Sequence, residues 1–196
     1  MLIDAAILSE YGETPEEDEA TRVQTLIRSA SEAITSAAGT SILAATSTIE
    51  VLGLPERMLN LPGPIRRVDE ILADGDLVAA DSYKVTASGI YRPSGWGCGK
   101  DLPVLRITYF HGYDDVPADI QQLCAAMVIA GLYAAREGGW ELQNGRTSSI
   151  GIDDYRESYA TSGEGIEQVT PMDLPERTRA ALRKRFGGSV HVVSQV

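Results

Sequence analysis

Cysteine and histidine are scarce in this sequence, with two residues of each among 196. Cys98 lies among glycines and Cys124 in an apolar run, and two such cysteines predict no disulfide framework. The cysteines and histidines are scattered along the sequence, without the paired short spacings of a zinc site. Basic residues are also few: 17 lysines and arginines stand against 28 acidic residues, and the formal net charge is −11. Coating nucleic acid requires many bases to neutralise phosphates, so the composition argues against that function. We expect no cofactor and no metal.

Long apolar runs are missing as well. The longest nearly uncharged run, residues 123–135, is shorter than the roughly 20 residues that a membrane span requires. The amino terminus has no basic region and carries Asp4 within its apolar stretch, unlike a secretory signal. We therefore expect a soluble protein made and kept in the cytoplasm. The length predicts a single domain with a core of its own.

Three helices are predicted from apolar periodicity and capping residues. The first covers about residues 15–38 and stops at Gly39, and the last covers about 173–186. The middle helix, about 117–137, is apolar nearly all round, which is typical of a buried helix. Gly131 within it indicates close approach to another helix, which we interpret as the first one, within the chain or between chains.

The region of about 46–110 changes to strand-like alternation interrupted by turn residues, including the hairpin signal Asp74-Gly75. We expect five or six short antiparallel strands there. Residues of about 140–170, rich in Gly, Ser, Thr and acids, predict a long arm, and 187–196 predict a β-prone tail. The predicted fold class is α+β: a small helical bundle with an inserted antiparallel β domain, an extended arm and a tail.

Opposite charges are separated along the chain. The first twenty residues hold seven acids and no base. The acids of 16–19 suit the positive N-terminus of the first helix, and a solvated first turn is preferred over an acidic ligand site. The last predicted helix is basic on one face, through Arg177, Arg179, Arg183, Lys184 and Arg185.

Candidate catalytic groups are few. His111, at a predicted strand end, lies near Asp114 and Asp115, which would orient or protonate it in an enzyme. The same residues suit a strand-to-helix turn whose carboxylates cap helix N–H groups. The loop 95–100 has the glycines of a phosphate loop without the Walker spacing and is interpreted as a flexible turn. We expect no enzyme; a small hydrolase using these three residues, with or without Cys98, is the enzymatic alternative.

The order of the features is more specific than any one of them. A capped helix containing Thr21-Arg22-Val23-Gln24 leads into a β insertion and then a buried helix. The motifs that follow the first helix are Leu61-Pro62-Gly63-Pro64-Ile65, Asp81-Ser82-Tyr83-Lys84-Val85, Gly89-Ile90-Tyr91-Arg92, His111-Gly112-Tyr113-Asp114, Val116-Pro117 and, in the arm, Ser149-Ile150-Gly151. Over about residues 14–160 the chain resembles the head-to-tail connector, or adaptor, family of long-tailed bacteriophages.

The resemblance implies a structural virion protein at the head–tail junction, assembled in the host cytoplasm. It implies a homo-oligomeric ring, a dodecamer, between the portal protein and the stopper or tail proteins. DNA would pass through the ring without specific binding. A stopper or tail-completion protein of the same neck is the alternative within the structural class.

Two segments are predicted to make contacts between chains. The arm is expected to reach a neighbouring subunit or the portal through Ile150, Tyr155 and Tyr159. The tail is expected to add a strand to a partner's sheet, with the portal as the expected partner, and a frayed end is the alternative. Its strand residues are Val190, Val192, Val193 and Val196, and the bases expected to steer docking are Arg183, Lys184 and Arg185.

Overall fold

Helices and antiparallel sheets build two separate hydrophobic cores in this chain, which confirms the α+β class. The computed structural model describes residues 1–98, 102–136 and 170–187 and the backbone of 192–195. Seven strands between Ala45 and His111 follow the first long helix and precede the second, so the β region interrupts the helical part of the chain.

The helices are α1 (Ile7–Glu10), α2 (Ala20–Ala38), α3 (Ala118–Arg136) and α4 (Glu176–Phe186). α2 starts later than predicted because residues Glu17–Glu19 form a 3-10 turn before it. The Glu16 and Glu19 side chains cap this turn reciprocally, and the Glu19 carboxylate accepts the Glu16 N–H at 3.0 Å. Gly39, with φ 72°, ends α2 as predicted. α1 was not predicted, since four residues are too few to show a helical period.

α2 and α3 form the centre of the helical core. Their facing residues are buried: Val23, Leu26, Ile27, Ala30 and Ile34 on α2, and Ile120, Cys124, Met127, Val128 and Leu132 on α3. A Cβ on Gly131 would lie 2.9 Å from Leu26 Cδ2, so the close approach predicted for this glycine occurs within the chain, against α2. Among the described residues α3 is the one helix long and apolar enough to cross a membrane, a property that core helices share.

The strands form two antiparallel sheets. Their bounds are β1 Ala45–Leu52, β2 Met58–Asn60, β3 Ile65–Ala73, β4 Asp76–Leu77, β5 Lys84–Thr86, β6 Gly89–Tyr91, β7 Val104–His111 and β8 Val192–Gln195. The larger sheet has the order β4-β3-β7-β1-β8 and the smaller one β2-β6-β5. Asp74 and Gly75 both have positive φ and form the predicted hairpin turn, pairing Ala73 with Asp76.

The second core lies within the β region. Alternate residues of β1 and β7 are buried, among them Ile49 and Ile107, and pack with residues of the smaller sheet such as Ile90. Trp96 is only 2% exposed, and its indole N–H donates to the Ile90 carbonyl at 3.3 Å. The interpretation of this loop as a flexible turn is therefore wrong at Trp96, because the tryptophan anchors the loop in the core.

α4 connects the two cores at its end. Phe186 is fully buried, and its ring meets Tyr113 edge-on with centroids 6.3 Å apart. Its carbonyl accepts the N–H of Gly63, at the start of the segment leading into β3, at 2.8 Å. The basic helix is thus fixed at the junction between the helical core and the β region.

Candidate assembly surfaces

The three arm residues singled out in the sequence, Ile150, Tyr155 and Tyr159, lie outside the described residues. The structure describes the residues on either side of 137–169. α3 ends at Arg136, and the chain returns beside the same helix, where Met172 Cε would lie 3.0 Å from a Cβ on Gly131. The returning chain is held by a turn in which the Thr170 N–H and hydroxyl both donate to the Asp173 carboxylate. The described residues that flank 137–169 therefore both lie on or beside α3.

An ion-pair network surrounds Arg136, the last residue of α3. The Arg136 guanidinium donates to both oxygens of Glu19, at 2.8 and 2.7 Å, and a third nitrogen lies 2.8 Å from Glu13. Both carboxylate side chains are at most 9% exposed. Hydrogen bonding to Arg136 lowers the pKa of Glu19 to about 2. Glu19 is therefore not one of the solvated first-turn acids that the sequence indicated for residues 16–19.

No local sequence signal identifies this network. Glu19 and Arg136 are 117 residues apart, and Glu13 precedes the first predicted helix. The only sequence hint was Arg136 itself, at the end of a helix that is otherwise apolar, where a base suits the helix C-terminus.

The predicted basic residues of α4 differ in what they contact. Arg185 forms an ion pair with Asp119 at the start of α3, and its guanidinium lies over the Phe186 ring. The Arg183 side chain lies against Gly39, at the C-terminal end of α2, where helix carbonyls favour a positive charge. Lys184 is exposed and makes no ion pair within the described part of the chain. Two of the three residues predicted to steer docking thus have structural contacts.

The tail has a partner strand within its own chain. Residues 192–195, which include Val192 and Val193, form β8 and pair antiparallel with β1, matching Ile49 with Gln195. The sequence indicated no partner because β1 lies far away along the chain. Val190 and Val196 lie outside the described residues. Docking of the tail on another protein stays a prediction, and it requires β8 either to leave β1 or to bind in that position.

The residues of the hydrolase alternative do not form a shared site in the described structure. His111 is fully buried, its Nε2 lies 2.8 Å from the Ser47 hydroxyl, and its ring stacks on Tyr109. Asp114 is exposed and pairs with Arg66, which holds the pKa of that carboxyl below its usual value. A buried imidazole cannot reach a substrate, and an acid paired with arginine is a poor proton donor.

The cysteines and the side chains that could bind a metal ion were the remaining candidates for a reactive site among the described residues. Cys98 is exposed, whereas Cys124 is buried in the helical core and burial raises the pKa of its thiol. Within residues 1–98, 102–136 and 170–187, no three His, Cys, Asp or Glu side chains are grouped so as to hold a metal ion.

The burial of His111 predicts that the folded chain loses stability in acid. Burial lowers its pKa below the ordinary value of 6.5, and its Nδ1 has no hydrogen-bond partner in the described structure. Below pH 6.5 the His111 imidazole binds a proton in the unfolded chain but not in the folded chain, where its pKa is lower. The free energy of unfolding therefore falls as pH falls, by at most about 1.4 kcal/mol per pH unit. We expect His111→Gln, which preserves a group near Ser47, to reduce this slope between pH 7 and 5.

The measurement is urea unfolding at several pH values. His191→Gln is the matched control, because it removes the chain's other histidine. An unchanged slope in His111→Gln, or an equal reduction in His191→Gln, would contradict the assignment.

No protein-family model matches this chain, and no curated protein matches it. Among solved structures, a chain of "Virion of native gene transfer agent (GTA) particle" is similar at 15% identity and a TM-score of 0.47, covering 74% of this chain and 82% of that one. A chain of "Neck of empty GTA particle computed with C6 symmetry" is similar at 15% identity and a TM-score of 0.47, covering 84% and 94%. At these values the similarities assign no function.

Proposed function

We propose that this chain is a structural virion protein, the head-to-tail connector or adaptor subunit of a long-tailed bacteriophage. The observation that carries the proposal is the order of features along the chain, which resembles that family. The fold supports it, because the β region lies between α2 and α3 and the arm segment follows directly after α3. In this role the subunits form a ring, a dodecamer, between the portal and the stopper or tail proteins, in a virion assembled in the host cytoplasm.

The charge of the subunit fits a conduit for DNA. A net charge of −11 on each subunit, repeated around a ring, repels phosphates and lets DNA pass without being retained. A closed ring also requires two different patches on each subunit, since each copy must contact the next one head to tail.

Native mass spectrometry and negative-stain imaging, with and without purified portal, test the proposal. Rings, or complexes with the portal, are the expected result. A chain that binds only tail-side proteins would favour the stopper alternative. A chain that stays monomeric beside the portal would defeat the connector role, and turnover of an ester or peptide substrate by that monomer would favour the hydrolase.

The arm is proposed to make contacts between subunits or with the portal. Replacing Ile150, Tyr155 and Tyr159 together by serine removes the apolar groups of a polar segment that has little reason to fold on its own. We expect the melting temperature of the isolated subunit to stay unchanged, because the proposed contacts of these residues are with another chain, and we expect ring formation or portal docking to be lost. Normal assembly of the triple variant would refute this role.

The tail is proposed to add a strand to the portal. Truncation after Gly188 removes the edge strand β8 from β1 but keeps every residue of the two described hydrophobic cores, so we expect the fold to remain intact. We expect portal affinity to fall strongly, since backbone pairing supplies most of the affinity in strand addition. Neutralising Lys184 should mainly slow association, whereas neutralising Arg183 and Arg185 also removes their contacts with Gly39 and Asp119. Equal portal affinity of the truncated and full chains, measured by surface plasmon resonance, would show that the tail has no role in docking.

A further inference from the structure

The tail strand β8 is held to its own chain by a short ladder. β7 pairs along all eight residues of β1, whereas β8 pairs with three of them on the other side, Ile49, Glu50 and Val51. The register of this ladder shifts between Glu50 and Val51. The two hydrophobic cores of the described residues include nothing beyond Phe186. Release of β8 from β1 therefore breaks one short, irregular ladder and leaves both cores intact.

The chain leaves α4 at one end of the larger sheet. The Phe186 carbonyl accepts the N–H of Gly63, two residues before β3 begins, and the Phe186 ring meets Tyr113, two residues after β7 ends. β1 begins at this same end, because its first residue pairs with the last residue of β7. The connection from α4 to β8 therefore starts beside the first residue of β1.

β8 begins far from that end of the sheet. Val192 pairs with Val51, six residues along β1 from Ala45, which is about 20 Å at about 3.4 Å per residue. From Gly187 to Val192 the chain has five Cα–Cα steps, which reach at most about 18 Å. The two lengths are comparable, so pairing with its own β1 leaves the connection little length to spare. A short connection under strain favours exchange of the connected element between copies.

A second copy of the chain offers β8 an equivalent acceptor. Every copy carries the same outer edge on β1, and the pairing of β1 with β8 shows that this edge accepts the tail strand. An edge that loses its strand is a template for pairing with another chain. Exchange of an identical element between copies replaces each contact by the same contact, so it costs little. The occupant that fits the vacated edge is the tail of another copy.

We propose that β8 of one copy pairs with β1 of the next copy. Each copy gives a strand on one side and receives one on the other, so the contact is heterologous and generates a ring where the rotation closes. The inference rests on the proposed function and identifies a subunit contact of that ring. β8 is the outermost described strand of the larger sheet, so its second edge remains open to the portal in this position.

Two chains with one new cysteine each test the contact. Glu50 and Ser194 lie directly opposite each other in register, at a spacing that a disulfide bridges. One chain carries Glu50→Cys and the other Ser194→Cys, both with Cys98→Ser, because Cys98 is exposed. The monomers are mixed in equal amounts, assembled alone or on the portal, and oxidised. We expect about half of the chains to run as covalent heterodimers on a non-reducing gel, because a randomly mixed ring brings the two cysteines together at about a quarter of its contacts.

A matched pair of chains measures cross-linking that does not depend on exchange. Thr48 and Thr108 lie opposite each other on β1 and β7, with their hydroxyl oxygens 3.0 Å apart, and neither strand changes copies in the proposed contact. Thr48→Cys in one chain and Thr108→Cys in the other, again with Cys98→Ser, should assemble like the parent. We expect this pair to form no more heterodimers than the parent does.

A chain with both cysteines tests whether exchange is required for assembly. Glu50→Cys with Ser194→Cys in one chain, oxidised as a dilute monomer, ties β8 to its own β1. We expect this locked monomer to lose most of its assembly by native mass spectrometry and to recover it when dithiothreitol reduces the disulfide. Thr48→Cys with Thr108→Cys in one chain ties β1 to β7 instead and should assemble equally before and after reduction. The reduced form of each chain and its circular dichroism melt verify that the chain is folded.

Each outcome decides between exchange and closed subunits. Heterodimers that appear only in assembled samples support the inference. Rings or portal complexes without heterodimers above the level of the Thr48 and Thr108 pair overturn it, as does a locked monomer that assembles like its reduced form. In both of these cases the parent still assembles, so the proposed function stands. A parent that forms neither rings nor portal complexes defeats the proposed function, and the inference with it.

Discussion

Replacing Arg136 by methionine is expected to lower the melting temperature by several degrees, because two buried carboxylates lose their partner at once. Arg136 contributes three ion-pair contacts of 2.7–2.8 Å to Glu13 and Glu19, and its guanidinium also lies over the Tyr133 ring. Removing one partner of a buried ion pair leaves the other charge without compensation, which is much more costly than losing an exposed pair. Methionine retains most of the apolar stem of arginine, so the loss is chiefly electrostatic.

Arg106→Met is the matched control for this variant. Arg106 pairs with Glu50 across β1 and β7, and its side chain is 52% exposed. An exposed pair contributes at most about 1 kcal/mol, so we expect a change in melting temperature of only a few degrees or less. Equal melting temperatures of Arg136→Met and Arg106→Met, measured by scanning calorimetry, would show that the network does not hold the end of α3.

The same network predicts how stability depends on pH in acid. The pKa of Glu19 is about 2 in the folded chain and 4.5 ordinarily, so between these values the unfolded chain binds more protons. Stability therefore falls as pH falls from about 4.5 towards 2, and it is fully present above that range. In Arg136→Met this contribution from Glu19 is lost at neutral pH, and the variant should have a shallower loss of stability in acid.

Elements with a strong local period were predictable from the sequence. In α2 and α3 the buried residues recur at spacings of three and four. The ends that the sequence marked, Gly39 for α2 and Pro117 before α3, agree with the structure within a residue. The Asp74-Gly75 turn was predictable for the same reason, since only a few residue pairs adopt positive φ without strain. These features depend on neighbours in the sequence.

Features that depend on distant partners were not predictable. Trp96 lies between two glycines that indicate a loop, yet it is buried in a core that it shares with residues of both sheets. β8 finds β1 across about 140 residues of sequence, and strand propensity alone does not choose a partner. Glu19 was expected to be a solvated acid, but the fold places Arg136 against it. In each case the missing information was the tertiary arrangement.

Met127→Asp is expected to be the most damaging single change. Met127 lies on α3 facing α2, is 6% exposed, and belongs to the helical core. An aspartate there places an unpaired charge among apolar side chains and removes the packing of the thioether. We expect a loss of at least about 3 kcal/mol, which in a domain of this size lowers the melting temperature by roughly 6–12 °C.

Two control variants separate burial from other effects of the substitution. Met127→Leu preserves the apolar volume and should cost less than about 1.5 kcal/mol. Gln122→Asp places the same new charge on the exposed side of the same helix and should change the melting temperature little, since water solvates it. If Met127→Asp melts within a degree or two of the parent while remaining monomeric, residue 127 is not in the core. The assignment of α3 as a helix packed against α2 would then be wrong.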